Sequence, residues 1–160
     1  MAARFFEACK GYKTEDIQLP KRSTENSAGY DFLSVEDTII PSFWSNFFKL
    51  ITGKHIEPVL VKTGVKAKMR ANETLMLYNR SSNPKRGLIL ANGVGVVDSD
   101  YYSNPQNDGE ICFAFFSLFP WKVTIKKGVK IGQGVFQTFL KTDEDKASGK
   151  REGGFGSTGS

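Results

Sequence analysis

The chain has 160 residues, 39% apolar and 24% charged, and 22 basic against 17 acidic residues give a formal net charge of +5. That fits one compact domain able to bury a core without disulfide or metal staples, and it is too short for a two-domain enzyme of ordinary proportions. A single histidine, His55, excludes a multi-histidine zinc site; Cys9 and Cys112 form no CxxC, which argues against a thiolate cluster or redox dithiol and suits a reducing interior.

The opening MAARFFEACKGYK has no long apolar core ending in small residues and does not read as a secretory signal. Ala28 to Phe32 and the turn signals that follow lead to the greasiest stretch, Phe43 to Ile51, which Ser45, Asn46 and Lys49 keep well short of a membrane span. A cytoplasmic protein is expected. After Pro41, apolar residues at 43, 47, 50 and 51, and at 44, 48 and 51, have helical spacing, with Ser42 placed to cap and Gly53 to stop. The spacing predicts a short helix over 42–52, inserted into a β domain and packed on its sheet, with a membrane or partner contact as the alternative.

From Lys54 to Arg86 eight basic residues face only Glu57 and Glu73. Such a balance suits an anionic partner (nucleic acid, a membrane surface or a small polyphosphate), although charge alone reads first as a solvated strand face. Val65, Ala67 and Met69 alternate with Lys66, Lys68 and Arg70, and Trp121, Val123 and Ile125 alternate with Lys122, Thr124 and Lys126, the period of half-buried strands. Ile111 to Phe119 is nearly all aromatic or aliphatic, as in a strand covered on both faces. Turn signals at 62–64, 83–84, 103–109 and 127–128 separate these runs, which predicts an all-β sandwich or barrel over 1–148. The remaining 149–160 is so rich in glycine that it holds no single conformation without a partner, and it reads by itself as a disordered terminus. A lone Phe155 and a nearby Arg151 are more than an inert linker requires.

Arg80-Ser81-Ser82 ends the apolar run Leu75 to Tyr78, and a guanidinium fork beside two hydroxyls suits phosphate oxygens. Gly93 and Gly95 favour a hairpin that a flat ligand can approach along the backbone. If that segment continues extended, Asp98 and Asp100 point to opposite faces, so they do not act as a pair. Taken singly, each of these features also reads as an ordinary solvated turn.

Together they acquire a family. Ala28-Gly29-Tyr30-Asp31-Phe32, Arg80-Ser81-Ser82, Asn92 through Tyr101, Gly128 to Gln133 and Gly153-Gly154-Phe155-Gly156-Ser157-Thr158-Gly159 follow one another as the five motifs of the homotrimeric dUTPases (deoxyuridine 5′-triphosphate nucleotidohydrolases). The chain resembles that family over nearly its whole length, most closely its Gram-positive and phage members. The resemblance implies a jelly-roll-like β sandwich and a homotrimer whose three active sites each draw on all three copies. It implies hydrolysis of dUTP to dUMP and pyrophosphate, which keeps uracil out of DNA and supplies dUMP for thymidylate synthesis.

By the same resemblance Asp98 is the general base. Asn92, Gly93 and Val97 meet uracil, Tyr101 packs under the deoxyribose, and Phe155 stacks on the base. Arg80, Ser81, Ser82, Gln133, Arg151, Gly156, Ser157 and Thr158 hold phosphate, and Asp31 orients Arg80. Mg²⁺ is the implied cofactor, held through substrate phosphates and water rather than by a protein cage. The arm is implied to lie across a neighbour's site.

Three departures stand out: Asn79 where many relatives have Pro, Lys130 and Gly132 where Arg and Ala are common, and one residue fewer between Arg151 and the glycine pair, which leaves Lys150 as an alternative phosphate clamp. Three other functions compete. A dCTP deaminase or bifunctional deaminase on the same scaffold needs an acid/base residue, commonly Glu, near the third motif, yet no Glu lies between Glu73 and Glu110. A phage-type regulatory protein, docking on a repressor through the apolar insert, is compatible with hydrolysis. DNA binding through the basic segment lacks any DNA-reading motif.

Overall fold

The period-2 runs become short strands and the helical run becomes a helix in the computed structural model, which describes residues 4–149 and Gly154. In chain order these are β1 (Phe5–Ala8), β2 (Lys21–Arg22), β3 (Tyr30–Leu33), β4 (Thr38–Ile40), α1 (Phe43–Ile51), β5 (Val59–Lys62), β6 (Val65–Lys68), β7 (Glu73–Asn79), β8 (Leu88–Leu90), β9 (Gly95–Asp98), β10 (Cys112–Ser117), β11 (Val123–Ile125) and β12 (Lys130–Thr138). All pairings are antiparallel. The largest sheet runs β2-β3-β12-β7-β9, a second runs β5-β10-β8, and two ribbons pair β1 with β6 and β11 with β4. Among the described residues no sheet closes on itself, so the sandwich expectation holds rather than the barrel.

The core lies between the sheets. Phe32, Phe113 and Phe115 are fully buried there with Leu75, Ile125 and Ile131. Each large side chain removed from water stabilises the fold by about 1.5–3 kcal/mol. The Phe32 and Phe113 rings lie 5.6 Å apart, tying the two sheets together.

β12 carries a bulge between Lys130 and Gly132, with Lys130 opposite Leu33 and Gly132 opposite Phe32. The extra residue, Ile131, turns its side chain into the core, and its carbonyl accepts from Asn83 Nδ2 at 2.7 Å. Gly132 is forced by packing: a Cβ there would stand 1.9 Å from Phe113 Cε1.

Four expectations need correction. Helix α1 forms as its spacing predicts, with Ser42 Oγ accepting from Ser45 N at 3.2 Å and Gly53 at φ +72°. It does not pack on the sheet, however: none of its residues is buried, and Phe48, Leu50 and Ile51 are about 60% exposed. The core is filled by strand residues, and the helix stands outside it.

Lys66, expected on a solvated face, is buried, with its Nζ 2.9 Å from Asp108 Oδ2 and 3.3 Å from Glu7 Oε1. A buried cation is tolerated when so paired. The Gly93 segment is no hairpin ladder, because β8 pairs with β10 and β9 pairs with β7, so the turn steps from one sheet to the other. The chain also leaves extended geometry at Asp98, entering a 3-10 turn over Ser99–Tyr101, so the opposite-face argument for Asp98 and Asp100 does not apply.

Gly132→Ala is expected to cost about 1–3 kcal/mol through overpacking against Phe113. Urea denaturation measures it, with Gly149→Ala, where an added Cβ meets nothing within 4 Å, as the near-neutral control.

Candidate active site

The order β3-β12-β7 places three sequence motifs side by side. Gln133 on β12 is paired in register with Asp31 on one side and Tyr78 on the other, and Gly132 with Asn79. Arg80 follows directly, its Nε 3.3 Å from Asp31 Oδ1. Lys130 Nζ lies 2.6 Å from Asp31 Oδ2, and Ser23 Oγ donates to the same oxygen at 2.7 Å. Burial opposes the Asp31 carboxylate, but the hydrogen bonds from Lys130 and Ser23, with the Arg80 charge, outweigh it and hold its pKa below the ordinary range.

Gly29 is coupled to Gln133 by space alone, since a Cβ there would fall 2.4 Å from Gln133 Oε1. Ser81 and Ser82 are exposed just beyond Arg80. Asn79, a departure from the family pattern, is structurally engaged: its Oδ1 accepts from Arg80 N at 3.0 Å and from Asn83 Nδ2 at 2.6 Å. The same Asn83 amide reaches the Ile131 carbonyl, so the second motif is tied to the bulge of the fourth.

The second half of the site is a pocket of about 210 Å³ beside β9, lined by Asn92, Val97, Asp98, Tyr101, Cys112 and Gly154 among others. Thr74 Oγ1 donates to the Val97 carbonyl at 3.0 Å and fixes the strand there. Gly93, at φ +68°, makes the corner before β9 and lies in open space. Tyr101 is buried; its hydroxyl donates to the Glu110 carbonyl at 2.9 Å and accepts from Asn107 Nδ2 at 2.7 Å. Burial raises its pKa, so the ring stays neutral. Gly154 lies on that ring, where a Cβ would stand 2.6 Å from Tyr101 Cε2. In the single chain, therefore, the arm glycine meets its own Tyr101. Burial also pushes the thiols of Cys9 and Cys112 up to about 12.

A larger cavity, about 400 Å³, contains Ala28 of the first motif but neither Arg80 nor Asp98. Its cations are engaged: Arg4 binds both oxygens of Glu73, and Arg22 donates to the carbonyls of Glu25 and Ser27. Of the two, only the smaller pocket is lined by Asp98.

The two halves are far apart in one chain. Asp98 is paired with Thr74, and Arg80 lies six residues further along the same strand direction, a separation of about 20 Å. Arg151, Phe155, Gly156, Ser157 and Thr158 lie outside the described residues. Sequence reasoning missed Ser23, Asn83, Asn107 and Cys112; only the run of asparagines after Tyr101 could have drawn notice to one of them.

A family model for dUTPase matches residues 15–159. The chain belongs to the dUTPase family. It is 46% identical to a deoxyuridine 5′-triphosphate nucleotidohydrolase of Lactococcus lactis over 99% of both chains, and 31% identical to that of Clostridium tetani over 91% of both. Among solved structures, the dUTPase of Streptococcus mutans matches with a TM-score of 0.74 and 41% identity, covering 86% of this chain and 98% of that one. The dUTPase of phage phi11 of S. aureus, at 15% identity and a TM-score of 0.65 over 92% of this chain and 97% of that one, supports the jelly-roll fold alone. Among the described residues no helix is long and apolar enough to cross a membrane.

Because the folded pKa of Asp31 lies below its unfolded value of about 3.9, its stabilisation is complete above that pH and is lost as pH falls through the folded value. Urea titrations at pH 7 and pH 3 are expected to show a stability gap between the unaltered protein and Asp31→Asn that narrows in acid. Both thiols, held protonated at neutral pH, are expected to react with a disulfide reagent far more slowly in native than in denatured protein.

Proposed function

We propose that the protein hydrolyses dUTP to dUMP and pyrophosphate in sites shared between copies of a homotrimer, with Asp98 as general base. The observation that carries this reading is the convergence of Asn92, Asp98, Tyr101 and Gly154 on one pocket. Asn92 and the backbone of β9 meet the uracil edge. A pocket that matches uracil's donors and acceptors rejects cytosine, because mispairing leaves buried polar groups unsatisfied. Tyr101 lies under the deoxyribose and leaves no room for a 2′-hydroxyl.

Asp98 takes a proton from water as its oxygen attacks the α-phosphorus; the bond to the β-phosphate breaks and pyrophosphate leaves. Such a base contributes about 10²–10⁴-fold. Arg80, Ser81, Ser82 and Gln133 carry phosphate charge, with Asp31 holding the Arg80 fork in place. Among the described residues no three His, Cys, Asp or Glu side chains gather into a metal group, which fits an Mg²⁺ held through substrate phosphates and water rather than by the protein. Mg²⁺ would be held by the nucleotide phosphates and water, and when bound would supply charge neutralisation for the leaving pyrophosphate. Residues 149–160 complete the site as an arm, Phe155 on the base and Arg151, Gly156, Ser157 and Thr158 on the phosphates.

Two observations support shared sites. The backbone positions of Asp98 and Arg80 stand about 20 Å apart along β7, which favours an Arg80 from another copy as the partner of a given Asp98. The outer face of the β5-β10-β8 sheet is also apolar, with Leu60 beside Ala114 and Ile89 beside Phe116, and Leu60 and Ile89 about 40% exposed. An apolar outer sheet face is a surface for association. The exposed aromatic residues of α1 favour a second, compatible role, docking of a regulatory protein; Asp98→Asn is expected to leave such docking intact.

Purified protein is expected to release pyrophosphate from dUTP with Mg²⁺ and to leave dCTP, dTTP and UTP essentially untouched. Asp98→Asn lowers kcat by about 10²–10⁴-fold with little change in KM. Asp98→Asn and Arg80→Ala chains, each nearly inactive alone, are expected to regain activity when refolded together. Mixtures no more active than the separate variants would exclude shared sites.

A further inference from the structure

We propose that the turn at 103–109 is a positioning element for the nucleotide pocket, in which Asn107 fixes Tyr101 and Gln106 seats the arm backbone at Gly154 over it. The proposal rests on the reading of this pocket as a dUTP site, and it gives a role to a segment whose sequence showed only a long polar turn.

The turn is built to hold one shape. Lys66 Nζ anchors it from below, 2.9 Å from Asp108 Oδ2 and 3.0 Å from Ser103 Oγ, and Lys10 N donates to the same Asp108 oxygen at 2.7 Å. Inside it, Asn104 Oδ1 accepts from Gln106 N at 3.0 Å and Asn107 N at 3.2 Å, while Asn104 Nδ2 reaches the Tyr101 carbonyl at 3.0 Å. Asn107 Oδ1 accepts from Asn104 Nδ2 at 2.7 Å and Gly109 N at 3.1 Å. Ser103 and Asp108 sit at φ 55° and 57°, backbone positions that cost non-glycine residues energy and persist where surrounding bonds over-determine them.

Two side-chain groups of this fixed turn remain to act on the pocket. Asn107 Nδ2 donates to the Tyr101 hydroxyl at 2.7 Å, opposite the hydroxyl's own bond to the Glu110 carbonyl, so the ring is tethered from both sides. Gln106 Oε1 accepts from Gly154 N at 3.1 Å, at the point where Gly154 lies against the Tyr101 ring. Adjacent residues of one rigid turn thus set where the ring is and where the arm backbone meets it. A ring free to retreat would admit a ribose 2′-hydroxyl; a tethered one does not. The contact at Gln106 needs only a backbone N–H and serves equally for an arm supplied by another copy.

Two variants separate the parts. Asn107→Asp keeps the oxygen that Asn104 and Gly109 require and replaces the donor to Tyr101 with an acceptor, which competes with the Glu110 carbonyl for the one hydroxyl proton. It is expected to raise the UTP to dUTP ratio of kcat/KM about threefold to tenfold, the worth of one hydrogen bond. Gln106→Met removes the acceptor for Gly154 N at an exposed position. It is expected to raise the KM for dUTP by a similar factor; a non-hydrolysable dUTP analogue is expected to slow trypsin cleavage after Lys150 and Arg151 in the unaltered protein and in Gln106→Glu, which keeps an acceptor, but not in Gln106→Met. If either Asn107→Asp or Gln106→Met matches the unaltered protein in these readouts while that protein cleaves dUTP, the proposal is overturned. Failure of the unaltered protein to cleave dUTP overturns instead the reading on which it rests.

Discussion

The ladder between β7 and β12 runs unbroken from Gly132 opposite Asn79 to Thr138 opposite Glu73, and most of the molecule's organisation follows from it. It puts the last long strand of the chain between β3 and β7 and so brings motifs far apart in sequence into adjacent positions. At one end lie Asp31, Lys130, Gln133 and Arg80. At the other, β9 joins the sheet and carries Asp98. One strand therefore holds the Arg80 and Asp98 positions apart by nearly its full length.

The charges at the first end form a nested arrangement rather than a loose patch. Asp31 is held by two cations and a hydroxyl, and Lys130 reaches it from the β12 position just before the bulge. Neutralising Asp31 would remove the partner that Arg80 and Lys130 share. Gly29 and Gly132 serve the same end by absence: each leaves space that a neighbouring side chain, Gln133 or Phe113, fills.

Alternation and turn chemistry were enough to read strands, helix α1 with its cap, and an all-β class, since these depend on local spacing. The burial of Lys66 was not legible, because its partners Glu7 and Asp108 are brought to it only by folding. Nor was the bareness of α1: an amphipathic pattern announces an apolar face without saying whether the core has room for it. Of the site, the motif residues were legible as types and in order, and the Arg80–Asp31 contact follows the pattern. Asn107 and Asn83 escaped notice because an asparagine in a polar turn carries no periodic or charge signal until its amide finds a partner.

Helix α1 has one more consequence, for how this molecule can be watched. Its Trp44 and the distant Trp121 are the two indoles of the chain, and both are more than half exposed. Native emission from such rings already resembles that of tryptophan in solvent, so loss of the phenylalanine-rich interior passes almost unseen in a fluorescence trace. Backbone dichroism follows the collapse of the sheets directly, whereas quenching of the two indoles reports when something settles over the surfaces that carry them.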